Sequence, residues 1–538
     1  MKDSPLQGDD ARLAAMGHRP ELQRSHSTWS MLGLAFAVLN SWTALSASLS
    51  ISLTSGGSTS DWSLQDSVIF VSHVRWLNFS PHIRQPVDSI IGLQASLSVP
   101  TESIRFRSTL TLMPAISWPS TVPILSWITG WINVAGWVAL VATNSLLSSQ
   151  LIVGVISVLH ESYVPQRWHQ FLIYIGLTIG SFIINAFMNS ILPAIYRGAF
   201  MWSIGGFVIV SITCLACAAP NYNSAYFVFC DFVNTTGWPD GVAWLLGLLQ
   251  GGLGVTAFDA VAHMIEEVPN ADIEGPKIMV TCVGIGVFTG SIFLIVLLFV
   301  AGNMEAVTTS AAGPLLQILV DATKSNAGGI CLLMLPLVCL VFAIISVMTT
   351  SSRMIFAFAR DGGLPASRFF AKVHPTLKLP LNALILTVVV VIAFGCIFLG
   401  SSSAFNAIIS ASVVALDLSY GIPIAINCLQ GRRSLPERRW KLPNALGWFV
   451  DLVALSYIAL TTVLFVFPPS STVTGSSMNY CIAAFAVIII ISVFQWFVDG
   501  RKNFTGPRVD ITIDALDTVP TREELDSSMH EKELAGRG

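Results

Sequence analysis

Apolar stretches of about twenty residues recur along the whole chain, and that recurrence restricts its fold more than any other feature. A helix of roughly 20 apolar residues crosses a bilayer core and satisfies its own backbone there. The first such stretch runs from about Ser30 to Leu53. Further stretches lie near residues 125–159, 170–192, 198–219, 241–264, 278–301, 328–352, 382–399, 404–428, 444–467 and 480–498, which makes eleven. The implied fold class is an all-α polytopic membrane protein. The 538 residues are 53% hydrophobic and 11% charged, with a mean hydropathy of +0.69, which excludes a soluble globule carrying one anchor. A net charge of -3 gives no footprint for nucleic acid.

Residues 1–27 are polar and lack the apolar core of a cleaved leader, so they read as a cytosolic tail. The transmembrane domain then covers 28–499, and 500–538 form a second, charged cytosolic tail. Cys214 and Cys217 sit in an apolar run with no second pair or nearby histidine, and read as membrane thiols rather than a metal or redox pair. Neither a metal nor a cofactor is expected. No HExxH, GxSxG or clustered ligand set lies in the spans, so an enzyme is not expected either.

One of the eleven stretches is interrupted. Gly241 to Pro276 reads GVAWLLGLLQGGLGVTAFDAVAHMIEEVPNADIEGP, with Gly252, Gly254, Thr256, Phe258 and Asp259 in its middle. Glycine lowers the cost of unwinding, unwound backbone at membrane depth is tolerated where it lines a cavity, and a carboxylate there is costly enough to imply a function. A glycine-rich packing face with Asp259 snorkelling to one end gives the same pattern. Asp259, His263, Glu266 and Glu267 are spaced i, i+4, i+7 and i+8, along one face of a helix leading from the break. They read as a proton or exit path, and Glu266 and Glu267 equally as a solvated helix end. Asp417, within VVALDLSYGIP, is a second mid-span carboxylate that either moves protons or bonds another helix.

Basic residues orient the loops. Arg353 to Leu379 and Gly431 to Pro443 are rich in Lys and Arg and are expected in the cytosol, whereas 400–403 and 468–479 carry none. Counting back places Ala219 to Asp240 outside, where Asn234-Thr235-Thr236 is a glycosylation sequon. The same count exposes a missing crossing between the first stretch and the one beginning near Leu125. Residues 58–114 ought to hold it, yet Asp61, Asp66, Arg75, Arg84, Asp88, Glu102, Arg105 and Arg107 leave no apolar run of spanning length.

The motifs LNSWTALSASL with SGG, ISWPSTVPILSWITGWINVAGW, EEVPNADIEGPK, SSRMIFAFARDGGLPASRFFAKVHP with LPLNA, SSSAFNAIISASVVALDLSYGIPI and GRRSLPERRWKLP carry a family resemblance. The chain resembles the fungal amino acid/choline transporter family, the GABA-permease-like and choline-permease-like branch of the amino acid-polyamine-organocation superfamily. The resemblance covers residues 28–57 and 115–509 and fails between them, where the family's second helix belongs. It implies a leucine-transporter-type fold, a 5+5 inverted repeat plus two C-terminal helices, here with the second transmembrane helix missing or replaced.

By that resemblance the first stretch is also broken, near Asn40, Ser41, Trp42, Thr43 and Ala44, and these residues with Gly252, Gly254, Thr256, Phe258 and Asp259 bind substrate. Freed amides and carbonyls at the breaks suit a molecule bearing both a carboxylate and an ammonium. Trp42 and Phe258 would close over it, and their faces would also suit a quaternary ammonium, although such rings are often only packing groups. Asp259, His263 and Asp417 are the candidates for proton coupling. The implied activity is proton-coupled import of an amino acid or small amine by alternating access, with a GABA-like substrate favoured and choline as the alternative. A nutrient sensor or a transport-deficient variant is the reading from another class. The expected setting is the plasma membrane, or else the vacuolar membrane.

Overall fold

The computed structural model describes residues 27–57, 118–160, 162–264, 267–268, 271–432, 443–475 and 478–504. Helix α1 (Thr28–Leu39) begins at a capping box, in which Ser27 Oγ accepts from the Ser30 amide and Ser30 Oγ from the Ser27 amide. It is followed by α2 (Ser41–Ala47) and α3 (Ser50–Thr54). Next come α4 (Trp118–Leu159), α5 (Arg167–Phe187) and α6 (Leu192–Ala218). After a helical turn over Ala225–Cys230, three short helices, α7 (Asp240–Gly247), α8 (Leu249–Val255) and α9 (Ala260–His263), lead to α10 (Ala271–Val300). The longer helices after it are α11 (Pro314–Thr323), α12 (Asn326–Arg360), α13 (Leu381–Gly400), α14 (Ser402–Leu429), α15 (Asn444–Leu464) and α16 (Cys481–Gln495). Among the described residues the β-structure is a single isolated bridge, Ser55 to Asn234.

Ten helical runs among the described residues are long and apolar enough to cross a membrane. The eleventh apolar stretch, 241–264, is not a continuous helix but α7, α8 and α9 in succession. A second difference concerns Arg353, which the charge pattern places at the start of a loop. It lies within α12, which continues to Arg360, and it is buried. The atypical interval 58–114 and its expected lack of a crossing lie outside the described residues, as do most of both tails.

Burial separates the helices that build the site from those that surround it. The window of Thr28–Thr54 is 94% buried, whereas that of Cys481–Asn503 is 11% buried and studded with exposed Ile, Val and Phe, as suits a lipid-facing helix. Helix α1 packs against α6, α10 and α12, and α4 runs along α12 and α14. Helix α2 is wedged between α8 and α10 by Leu45. A Cβ at Gly254 would stand 2.6 Å from Leu45 Cγ, and one at Gly290 would stand 2.7 Å from Leu45 Cδ1. Small residues at these crossings let the backbones close up in the absence of a hydrophobic force between helices.

The SGG motif ends the first run against the connection that precedes α7. The Gly56 amide donates to the Val233 carbonyl (2.8 Å) and the Thr235 amide to the Thr54 carbonyl (3.1 Å). Gly57 has φ +63°, and a Cβ there would lie 2.8 Å from the Val233 amide nitrogen. Asn234 is half-buried; its Nδ2 donates to the Trp238 carbonyl (2.7 Å) and to Asp240 Oδ1 (2.9 Å). Through Asn234 the end of the first broken run is tied to the first residue of the second.

Candidate functional site

The first break is a single residue. Asn40 adopts left-handed φ and ψ (48°, 33°), its amide closes α1 on the Phe36 carbonyl (2.9 Å), and its carbonyl receives the Ala44 amide that opens α2 (2.8 Å). Asparagine is among the few non-glycine residues that tolerate this conformation, so the chain bends here without the glycines such a break would otherwise call for. Thr43 Oγ1 donates to the Asn40 carbonyl at 3.0 Å and also meets Asn40 Oδ1. Asn40 Nδ2 and Ser41 Oγ are buried and find no partner among the described residues. Leaving such a group unsatisfied costs about 1–3 kcal/mol, so two adjacent ones set this break apart from an ordinary packed turn.

The second break spans Thr256 to Asp259. Thr256 caps α8 in an extended conformation (φ -75°, ψ 158°), both its amide (3.2 Å) and its Oγ1 (2.5 Å) bonding the Gly252 carbonyl. Ala257 follows with φ +69°, and α9 restarts after Asp259. Helix α9 packs against α1 while α8 packs against α2, which sets the two breaks side by side. The side chains read from the sequence do not all converge there. Trp42 is fully buried among Phe293 (ring centroids 4.9 Å) and Phe207 (6.3 Å), with its Nε1 donating to Ser203 Oγ (2.9 Å). It fastens α2 to α6 and α10. Ala44 and Thr43 are likewise buried, and Phe258 packs its ring on Tyr420 at 5.0 Å.

Asp259 is the centre of the polar chemistry at the second break. It is 1% exposed. Its Oδ1 accepts from the Tyr420 hydroxyl of α14 (2.5 Å), and its Oδ2 lies 2.9 Å from His263 Nε2. The same Nε2 lies 3.0 Å from Trp137 Nε1 of α4, and the indole stands edge-on to the imidazole (5.2 Å, 87°). Asp417, one turn before Tyr420 on α14, is buried, and among the described residues its Oδ2 finds no hydrogen-bond partner. Tyr420 and Trp137 are the residues that the sequence reading missed. They reach Asp259 and His263 from helices 161 and 126 residues away in the chain, so no local spacing could disclose them.

One turn farther along, Glu267 is buried and bonds Arg353 Nε through its Oε1 at 3.1 Å. The reading of Glu267 as a solvated helix end is therefore corrected, and Arg353, expected in a cytosolic loop, is its buried partner. An unpaired charge here would be costly, and the pair exists because each member neutralises the other. Glu266 lies outside the described residues. The cysteines are free, with Cys214 buried and Cys217 exposed, and among the described residues no three His, Cys, Asp or Glu side chains cluster as metal ligands.

Comparison with known proteins agrees with this architecture. The model of the amino acid permease family matches residues 116–494. An amino-acid permease of Schizosaccharomyces pombe, described as uncharacterized, is 29% identical over 525 residues, covering 95% of this chain and 92% of that protein. The choline transporter of Saccharomyces cerevisiae is 30% identical, covering 93% of this chain and 86% of that protein. Among solved structures, MhsT in complex with L-phenylalanine superposes with a TM-score of 0.50 at 13% identity, over 81% of this chain and 98% of that one. That likeness shows the fold, which is of the leucine-transporter type. The chain is thus a multi-pass membrane transporter, not an enzyme, and it belongs to the amino acid permease family, in the amino acid/choline transporter group of the amino acid-polyamine-organocation superfamily.

Proposed function

We propose that the protein is a secondary active transporter that imports an amino acid or small amine together with protons, by alternating access around the two apposed breaks. The observation that carries the reading is Asp259, a fully buried carboxylate whose two oxygens are held by Tyr420 and His263, with no lysine or arginine among its partners in the described residues. An ionised carboxylate buried without a countercharge costs several kcal/mol. A carboxylate and an imidazole within hydrogen-bond distance can share and pass one proton, and on that geometry the Asp259–His263 pair serves as a proton site rather than a clamp for the substrate ammonium. Substrate contacts then fall to the unwound backbone around Ala257 and to Asn40 Nδ2 and Ser41 Oγ, which have no partner among the described residues.

A GABA-like substrate is favoured over a quaternary amine. A choline site draws on open aromatic faces, whereas Trp42 is enclosed by Phe293 and Phe207, and the Phe258 ring packs at a tilt against Tyr420. Choline remains the second reading, supported by the choline transporter of S. cerevisiae among the relatives. Uptake of labelled GABA, proteinogenic amino acids and choline into plasma-membrane vesicles tests both. Saturable uptake of GABA or an amino acid that rises with external acidity is expected. Uptake of choline alone would move the assignment to the second reading, and uptake indifferent to a proton gradient would remove proton coupling.

A further inference from the structure

His263 Nε2 faces two groups that make incompatible demands on it. Trp137 Nε1–H is a donor only, so its 3.0 Å contact needs a bare lone pair on Nε2. Asp259 Oδ2 at 2.9 Å, when ionised, needs a proton on Nε2. One ring nitrogen has either the lone pair or the proton. We infer that Trp137 is the positioning residue that reads the proton: with Nε2 bare it ties α4 to α9, and when a proton arrives on Nε2 the imidazole turns its N–H to Asp259 and α9 is released from α4. This deepens the proton-coupled reading above and rests on it.

The proton balance is simple. A proton entering the pair resides on Nε2, with Asp259 ionised and accepting from both His263 and Tyr420. When it leaves for the opposite aqueous side, Nε2 regains its lone pair and takes the Trp137 N–H. No other bond is made or broken. The setting suits a switch, because Asp259, His263 and Trp137 are buried and α4 is a 42-residue helix packed along α12 and α14, a stiff body against which the four-residue α9 can move.

Among the described residues, the following titratable and charged groups stand on the elements packed around α9. From α14 come Tyr420, bonded to Asp259, and Asp417 one turn away. Arg353 of α12 is paired with Glu267, and Tyr196 of α6 bonds Thr349 of α12. Helix α10 carries buried Cys282 and, near its start, Glu274 paired with Lys277 (3.4 Å), and α1 contains no ionisable side chain.

Two substitutions of Trp137 separate a donor from a packing group. Trp137→Phe keeps the ring and removes the N–H, whereas Trp137→Gln keeps an N–H and loses the ring. With the full chain in proteoliposomes, Trp137→Phe is expected to shift the pH of half-maximal proton-driven uptake upward by about one unit, a roughly tenfold change of the size one hydrogen bond supplies. Trp137→Gln is expected to stay nearer the unsubstituted protein. A normal profile in the Phe variant with a shifted one in the Gln variant would overturn the inference in favour of packing. If neither variant exchanges substrate, vibrational difference spectra of the unsubstituted protein between acid and alkaline pH decide: an indole N–H band that moves supports the switch, and a fixed band refutes it. Absence of any proton uptake by the unsubstituted protein would instead refute the proton-coupled reading itself.

Discussion

Asp259→Asn keeps the shape of the side chain and removes its charge, so it isolates the proton role. Coupled uptake is expected to fall to background while the protein level is retained; full uptake with unchanged pH dependence would take Asp259 out of the site. Glu267 and Arg353 call for a different test, because a buried pair is costly to break but not to replace. Either Glu267→Gln or Arg353→Met alone is expected to lower stability by about 3–5 kcal/mol, and the double substitution to recover most of the loss. Thermal unfolding in detergent measures this, and additive losses would show that the two side chains are independent. At this scale the sequence disclosed what is chemically out of place in an apolar run, Asp259, His263 and Asp417. It did not disclose Trp137 or Tyr420, since a tryptophan or tyrosine in a membrane helix is ordinary until the tertiary structure supplies its partner. Trp42 shows the converse, a residue that draws attention in the motif and serves to fasten α2 to its neighbours.

Breaks in helices are more legible than contacts between them. Three glycines and a carboxylate announced the second break, and the structure unwinds the chain there from Thr256 to Asp259. The first break has no glycine, and its residues were located by resemblance alone; left-handed Asn40 supplies the physical reason. The SGG motif also acquires a purpose, because Gly57 lies in the left-handed region hard against Val233. Gly57→Ala is expected to combine backbone strain with a steric clash and to lower stability by about 1–3 kcal/mol. It should also loosen the tie between the two broken runs, read as faster cleavage of the Val233–Gly237 connection by an added protease. An unchanged melting temperature and protease pattern would mean that the connection is not held by this glycine.

For the whole molecule, membrane class, family and broken-helix architecture follow from apolar runs and motifs, because a bilayer leaves a chain few ways to satisfy its backbone. The interval 58–114 is the exception, and the family model begins only at residue 116. Ser55 pairs with Asn234 in the connection expected outside, whereas Trp127 packs on Trp496 and Phe504 at the end leading to the C-terminal tail, so reporters at Ser55 and Pro123 are expected on opposite sides; the same side would show that the crossing is missing. The most direct measurement of the central claim is accumulation of labelled substrate by the purified protein in proteoliposomes under an imposed inward proton gradient, beside Asp259→Asn. The expected result is accumulation above equilibrium that collapses when the gradient is dissipated and is absent in the variant. Equal accumulation with and without the gradient, or gradient-driven accumulation by Asp259→Asn, would contradict the account.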